Sequence, residues 1–152
     1  MLVVLEGCDG SGKSTLARSL SMILDADIIH CTSRTPNDFG FFSSIIEASK
    51  NRNIIADRFC YGQFVYQEKE NRPLGSVHNL NRLESRMLKA GTKVIYVEAP
   101  AEEIKNRLNS REECIINGLS VEDVLHRFDS LFTTQSIFCD SIIRWNTGGE
   151  WK

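Results

Sequence analysis

Gly7-Cys8-Asp9-Gly10-Ser11-Gly12-Lys13-Ser14 is the stretch that decides how this chain folds. It fits G-x-x-x-x-G-K-[ST], the phosphate-loop pattern, which carries meaning only between a strand and a helix. Both flanks are present. Leu2-Val3-Val4-Leu5 is an apolar run that reads as a buried strand, and Thr15-Leu16-Ala17-Arg18-Ser19-Leu20 reads as the first turns of a helix. Glycines let the backbone bend until successive N–H groups converge on phosphate oxygens. The helix that starts there adds the positive end of its dipole. Lys13 brings a mobile charge to the β- and γ-phosphates, and the Ser14 hydroxyl can ligate Mg²⁺. The competing reading is a glycine-rich turn with no ligand, and the flanking strand and helix weigh against it.

A length of 152 residues suits one domain with a real core. The formal charge is −2 at pH 7, which argues against a generalised nucleic-acid surface but is compatible with a local basic groove. No apolar stretch approaches the length of a membrane span. The first strand begins at residue 2, so no secretory leader is expected. Cys8, Cys31, Cys60, Cys114 and Cys139 are scattered singly, with no C-x-x-C pair to suggest zinc. They read as reduced thiols of a cytoplasmic protein. Cys8 reads as a small filler residue, with a helix-activated nucleophile as the alternative.

Strands alternate with helices along the chain, which favours a parallel sheet with helices on both faces. After the first helix, ending near Leu24, the pattern predicts a strand over Asp27–Cys31, a helix over Phe41–Ser49 and a strand over Asn53–Ala56 ending on Asp57. Helices are expected over Tyr61–Lys69, Asn79–Ala90, Pro100–Asn109 and Val121–Phe132, the last capped by Ser120 with Asp123. Lys93–Glu98 and Ile142–Trp145 complete a five-stranded sheet. The third strand delivers Asp57-Arg58-Phe59 at its carboxyl end, where ligands bind in an open parallel sheet. A carboxylate there can hold Mg²⁺, and Arg58 would face a second anion. The alternative is a surface ion pair at a strand end.

Two motifs together make the chain resemble the thymidylate kinase family. The segment from Leu5 to Thr15 matches the family's E-G-x-D-G-x-G-K-[ST]-T loop, and Asp57 to Gln67 resembles its D-R-[YF]-x-x-S-x-x-A-Y-Q motif. Arg34-Thr35-Pro36 stands where the family carries R-[EFR]-P, and Val97 to Glu103, followed by Arg107 and Arg111, resembles its fourth strand and the helix leading into the lid. Gly62 replaces the motif's Ser and Val65 its Ala.

The resemblance implies a three-layer α/β/α P-loop kinase fold: one domain over 1–152, a five-stranded parallel sheet and a short lid at about 108–119. It implies that Gly7, Asp9, Gly10, Ser11, Gly12, Lys13, Ser14 and Thr15 hold ATP, and that Ser14 and Asp57 hold Mg²⁺. Asp9 would reach the sugar 3′-hydroxyl of the acceptor. Arg58, assisted by Arg34 and oriented by Asp57, would bind the acceptor's monophosphate. Tyr66 and Gln67 would line the site near sugar and base. Arg107 or Arg111 would lie against the transferring phosphoryl group, with a solvated helix face as the alternative for each. Phe39, Phe41 and Phe42 could stack on the base or belong to the core. A homodimer through the helices at 61–69 and 79–90 is also implied.

The leading reading is therefore ATP-dependent phosphorylation of a deoxynucleoside monophosphate, dTMP or a dUMP analogue. The alternative is a kinase acting on a hydroxyl of a nucleoside or of a modified base in DNA, which needs a general base, with Asp57 as the candidate. An inactive nucleotide-binding regulator is a third class. No N-K-x-D motif supports a guanine-nucleotide switch.

Overall fold

In a computed structural model, the structure describes residues 1–110, 118–138 and 141–147. Five strands, β1 (Leu2–Glu6), β2 (Asp27–His30), β3 (Ile54–Asp57), β4 (Lys93–Glu98) and β5 (Ile143–Asn146), form one sheet in the order β2-β3-β1-β4-β5. Every neighbouring pair is parallel. The register aligns the carboxyl ends: Leu5 pairs with Asp57, His30 with Asp57, Glu6 with Tyr96 and Glu98 with Asn146. The polar residues that end these apolar strands therefore gather on one edge of the sheet.

Period-2 alternation gives the sheet two apolar faces. Leu2, Val4, Ile54, Ala56, Val94 and Tyr96 build the larger one. It is covered by α2 (Phe39–Ala48), α4 (Val77–Lys89) and α6 (Val121–Ser130), through Phe42, Ile45, Leu80, Leu83, Met87, Val124 and Phe128. Val3, Leu5, Ile55, Ile95 and Val97 face the other way, against Leu16, Ala17, Leu20 and Leu24 of α1 (Lys13–Leu24). The expected layered α/β architecture is present.

Caps set the helix starts. The Asp38 carboxylate accepts from Phe41 N–H, so α2 begins at Phe39 rather than Phe41. Ser76 accepts from Asn79 N–H, so α4 begins at Val77 rather than Asn79. The capping box of Ser120 and Asp123 starts α6 as expected. That helix ends at Ser130, and a π turn continues over Leu131–Gln135. α5 runs over Ala101–Ser110, while most of the expected lid, with Arg111, lies outside the described residues.

The expected helix over Tyr61–Lys69 is replaced by a 3₁₀ turn (Cys60–Gly62) and a single helical turn, α3 (Gln63–Tyr66). Competing hydrogen bonds explain the difference. Glu6 Oε1 accepts from Phe59 N–H and Tyr61 N–H. Arg72 Nε donates to the carbonyls of Gln63 and Gln67, and Gln67 leaves the helix in an extended conformation.

Glu84 of α4 is wholly buried and, among the described residues, has no cation as an ion-pair partner. Its carboxylate accepts from Tyr61 Oη, Asn81 Nδ2, Ile137 N–H and Ser136 Oγ, so it ties α4 to the segment after β3 and to the segment after α6. Glu84→Ala strands these donors in a dry interior and should destabilise the fold by about 2–4 kcal/mol, read by urea denaturation. A change within the noise of the measurement would show that the network contributes nothing.

Candidate active site

The loop between β1 and α1 depends on backbone shapes that side chains resist. Gly12, the N-cap of α1, sits at φ +102°, and Gly7 is so close to β4 that a Cβ would lie 2.2 Å from the Val97 carbonyl oxygen. Lys13 is 6% exposed, and its Nζ donates to the carbonyls of Gly7 (2.8 Å) and Cys8 (2.9 Å), which keeps the ammonium at the mouth of the loop. Burial lowers its pKa, and the nearby Glu6 and Asp57 carboxylates oppose that shift.

β3 brings Asp57 to the same place. Asp57 Oδ2 accepts from Ser14 Oγ at 2.9 Å and lies 3.2 Å from His30 Nδ1. No group of three or more His, Cys, Asp or Glu side chains able to hold a metal exists among the described residues. One carboxylate beside one hydroxyl is nevertheless the donor set that suits Mg²⁺, which completes its shell with phosphate oxygens and water.

Arg58 occupies the left-handed region at φ +69°, a strained shape for a residue that carries a Cβ. The turn is held on both sides, by Arg58 N–H to Leu5 O at 3.0 Å and by Phe59 N–H to Glu6 at 2.8 Å. Its guanidinium pairs with Asp9. The expectation that Asp57 orients Arg58 is corrected: Asp57 turns to Ser14 and His30, and Asp9 is the carboxylate that Arg58 meets.

Two hollows meet at this pair. The larger, about 580 Å³, is lined by Lys13, Ser14, Arg18, His30 and Asp57 as well as Asp9 and Arg58. The smaller, about 170 Å³, is lined by Glu6, Asn37, Phe59, Gln63, Tyr66 and Gln67, again with Asp9 and Arg58. Tyr66 and Gln67 thus stand together in its lining, and among the described residues Gln67 Oε1 is buried with no hydrogen-bond partner. Arg34 sits on an exposed turn, and neither hollow has it in its lining. Of the two readings of Phe39, Phe41 and Phe42, the core is the one found. Phe42 is core, packed 4.7 Å from Phe59, and Phe39 and Phe41 pack beside that core, while Phe59 and Tyr66 are the rings that line the smaller hollow.

A third hollow, about 430 Å³, shares Gly12 and Thr15 with the larger one and is also lined by Leu16, Arg107, Trp145 and Thr147. Arg107 is no solvated side chain. It donates to Gly10 O (2.9 Å), to Thr147 Oγ1 and O (3.2 Å each) and to Glu103 (2.7 Å). It braces the loop through Gly10 and ties it to Thr147 after β5. Cys8 is buried and its thiol pKa is raised, chiefly by desolvation, so it is a filler and not an activated nucleophile.

Sequence reasoning passed over Glu6, His30 and Thr147. Glu6 had a signal: like Asp57, it is a carboxylate ending an apolar strand. His30 and Thr147 had none, because only strand register and the end of β5 bring them to the loop.

No family model matches the chain. It is 30% identical over 155 residues to the SPbeta prophage-derived uncharacterized protein YorR of Bacillus subtilis (strain 168), covering 99% of this chain and 91% of that one. The crystal structure of YorR in complex with phosphorylated GDP superposes with a TM-score of 0.77 at 27% identity, over 100% of this chain and 88% of that one. A probable thymidylate kinase of Methanococcus maripaludis is 24% identical over 79% of this chain and 71% of its own length. Deoxyadenosine kinase from M. mycoides with bound dATP shares the fold, with a TM-score of 0.59 at 17% identity over 96% and 91% of the two chains.

Burial lifts the Glu6 carboxyl above its ordinary 4.5, opposed by the Phe59 N–H and by the charges of Lys13 and Arg58. A raised carboxyl favours the folded state while protonated. That contribution is present below 4.5 and is lost as pH rises through the folded-state value. Glu6→Gln cannot ionise, so its stability relative to wild type should improve from acid to neutral pH in urea melts. A difference independent of pH would contradict the assigned burial.

Proposed function

The chain belongs to the family of the Bacillus subtilis prophage protein YorR, and from that footing we propose that it is a nucleotide kinase of one domain over 1–152. It moves the γ-phosphoryl of ATP to a deoxynucleoside monophosphate, dTMP or a dUMP analogue. The observation that carries this reading is the Asp9–Arg58 pair at the junction of two hollows. On one side lie Lys13, Ser14 and Asp57, suited to a triphosphate. On the other lie Tyr66, Gln67 and Gln63, suited to a sugar and base. A guanidinium at the junction can grip a phosphate bidentately.

Phosphoryl transfer has a loose transition state with charge on the equatorial oxygens, so catalysis is positioning plus cationic clamping. The loop N–H groups and Lys13 hold the donor. Ser14 and Asp57 would hold Mg²⁺, which neutralises phosphate charge when bound. Arg58 holds the acceptor monoester, already ionised and in no need of a base. Asp9 orients Arg58 and can reach a sugar hydroxyl. Arg107 buttresses the donor loop, leaving Arg111 of the lid as the cation proposed for the transferring group.

One observation favours a second reading, a hydroxyl acceptor. Glu6 lines the smaller hollow with its carboxyl pKa raised by burial, as a general base requires. Asp57, engaged with Ser14, does not line that hollow. No described helix is long and apolar enough to cross a membrane, and the protein is proposed to act in the cytoplasm.

An ADP-release screen with Mg²⁺ across nucleosides, monophosphates and guanine nucleotides, the last because the YorR complex holds one, tests both readings. Release should appear with a pyrimidine deoxynucleoside monophosphate. Lys13→Ala should lower kcat by several orders of magnitude, and near-normal turnover would reject the site. Arg58→Ala should reduce kcat/KM for the monophosphate by about 2–4 kcal/mol in transition-state terms. Indifference to that change, together with loss of activity in Glu6→Gln, would favour the hydroxyl acceptor.

A further inference from the structure

We propose that the outer face of α4, with Phe39 and Arg72, binds the phosphate backbone of a nucleic-acid strand and leads it to the rim of the smaller hollow. α4 carries His78, Arg82, Arg86 and Lys89 at intervals of four, four and three, so they share one side of the helix, and all four are exposed. At 1.5 Å per residue the stripe is about 16 Å long. The helix's one carboxylate, Glu84, is buried on the opposite side.

The two arginines are held in place. The Cζ atoms of Arg82 and Arg86 lie 4.8 and 5.0 Å from the centroid of the same Phe39 ring. Arg82 Nη1 donates to Asn79 Oδ1 at 3.4 Å, and Arg86 Nη1 to Ser43 Oγ at 3.5 Å. One ring therefore keeps two like charges close together. Among the described residues, none of Arg72, Arg82, Arg86 and Lys89 forms an ion pair. The acids near this face are otherwise engaged or stand apart: Asp38 caps α2, Glu47 pairs with Lys50, and Glu68 and Glu70 are exposed and unpaired with these cations. An anion bridging the guanidiniums would relieve their repulsion.

The track ends at the site. Arg72 Nε donates to the carbonyls of Gln63 and Gln67, whose residues line the smaller hollow, and Phe39 stands two residues beyond Asn37 of the same lining. Guanidinium forks match phosphate geometry, and the remaining surface of a chain with formal charge −2 would turn a polyanion toward this stripe. The choice of nucleic acid over other polyanions rests on the proposed nucleotide chemistry of the adjoining hollow.

The test is fluorescence anisotropy of the full chain with a labelled single-stranded oligodeoxynucleotide, with the equivalent RNA and a duplex as parallel arms, at low and physiological salt. Binding should weaken as salt rises. R82E/R86E should lower affinity by about tenfold or more at low salt and flatten the log–log salt slope by about two. R82Q/R86Q should act in the same direction with a smaller effect, and Lys13→Ala should leave strand affinity unchanged. ADP release by the charge-reversed protein, expected at the wild-type level, reports its folding. The proposal is overturned if no arm binds at low salt, or if the reversed protein binds like wild type. Failure of the kinase reading would instead appear as strand binding without ADP release.

Discussion

The carboxylate of Glu6 is the contact on which the rest of the site depends. It ends β1, is buried, and accepts the main-chain N–H groups of Phe59 and Tyr61. These bonds keep Arg58, the residue between them and β3, in a left-handed shape that its side chain disfavours. They also break what would otherwise be a continuous helix from residue 61. A buried carboxylate thus exchanges regular secondary structure for one placed guanidinium. Glu84 supports the same turn from below, through the Tyr61 hydroxyl.

Charge balance explains why such burial is tolerated. Lys13 and Arg58 lower the pKa of Glu6, and Glu6 and Asp57 raise that of Lys13. Each charge offsets part of another's desolvation, which a lone buried ion could not survive. The carbonyls of Gly7 and Cys8 give the Lys13 ammonium neutral partners at the same time. Anionic phosphates entering the loop would meet donors already fixed in direction, the condition under which electrostatic stabilisation is strongest.

Much of this is legible in the sequence. The apolar runs at 2–5, 53–56 and 93–98 are strands, the glycine loop begins a helix at Lys13, and Ser120 with Asp123 caps α6. Those features are local: periodicity, caps and glycine act within a few residues. The short helix at Gln63–Tyr66 was not legible, because the partners that hold it and the turn before it, Glu6, Asn37 and the Arg72–Leu74 segment, come from three separate stretches of chain. Phe42 at helical spacing could have been a stacking ring or a core ring, and only its packing against Phe59 separates the two.

The chain's own order of residues therefore determined an α/β sheet with a phosphate-type loop at β1 and a carboxylate–arginine pair after β3, since strand period and backbone freedom are read from neighbours. Tertiary structure decided which carboxylate meets which cation. It gave Asp9 rather than Asp57 to Arg58, turned Asp57 to Ser14 and His30, and set Arg107 with Thr147 behind the loop. Partner choice among charges depends on distances across the sheet edge, and those follow from parallel register between strands far apart in the chain, which no local pattern encodes.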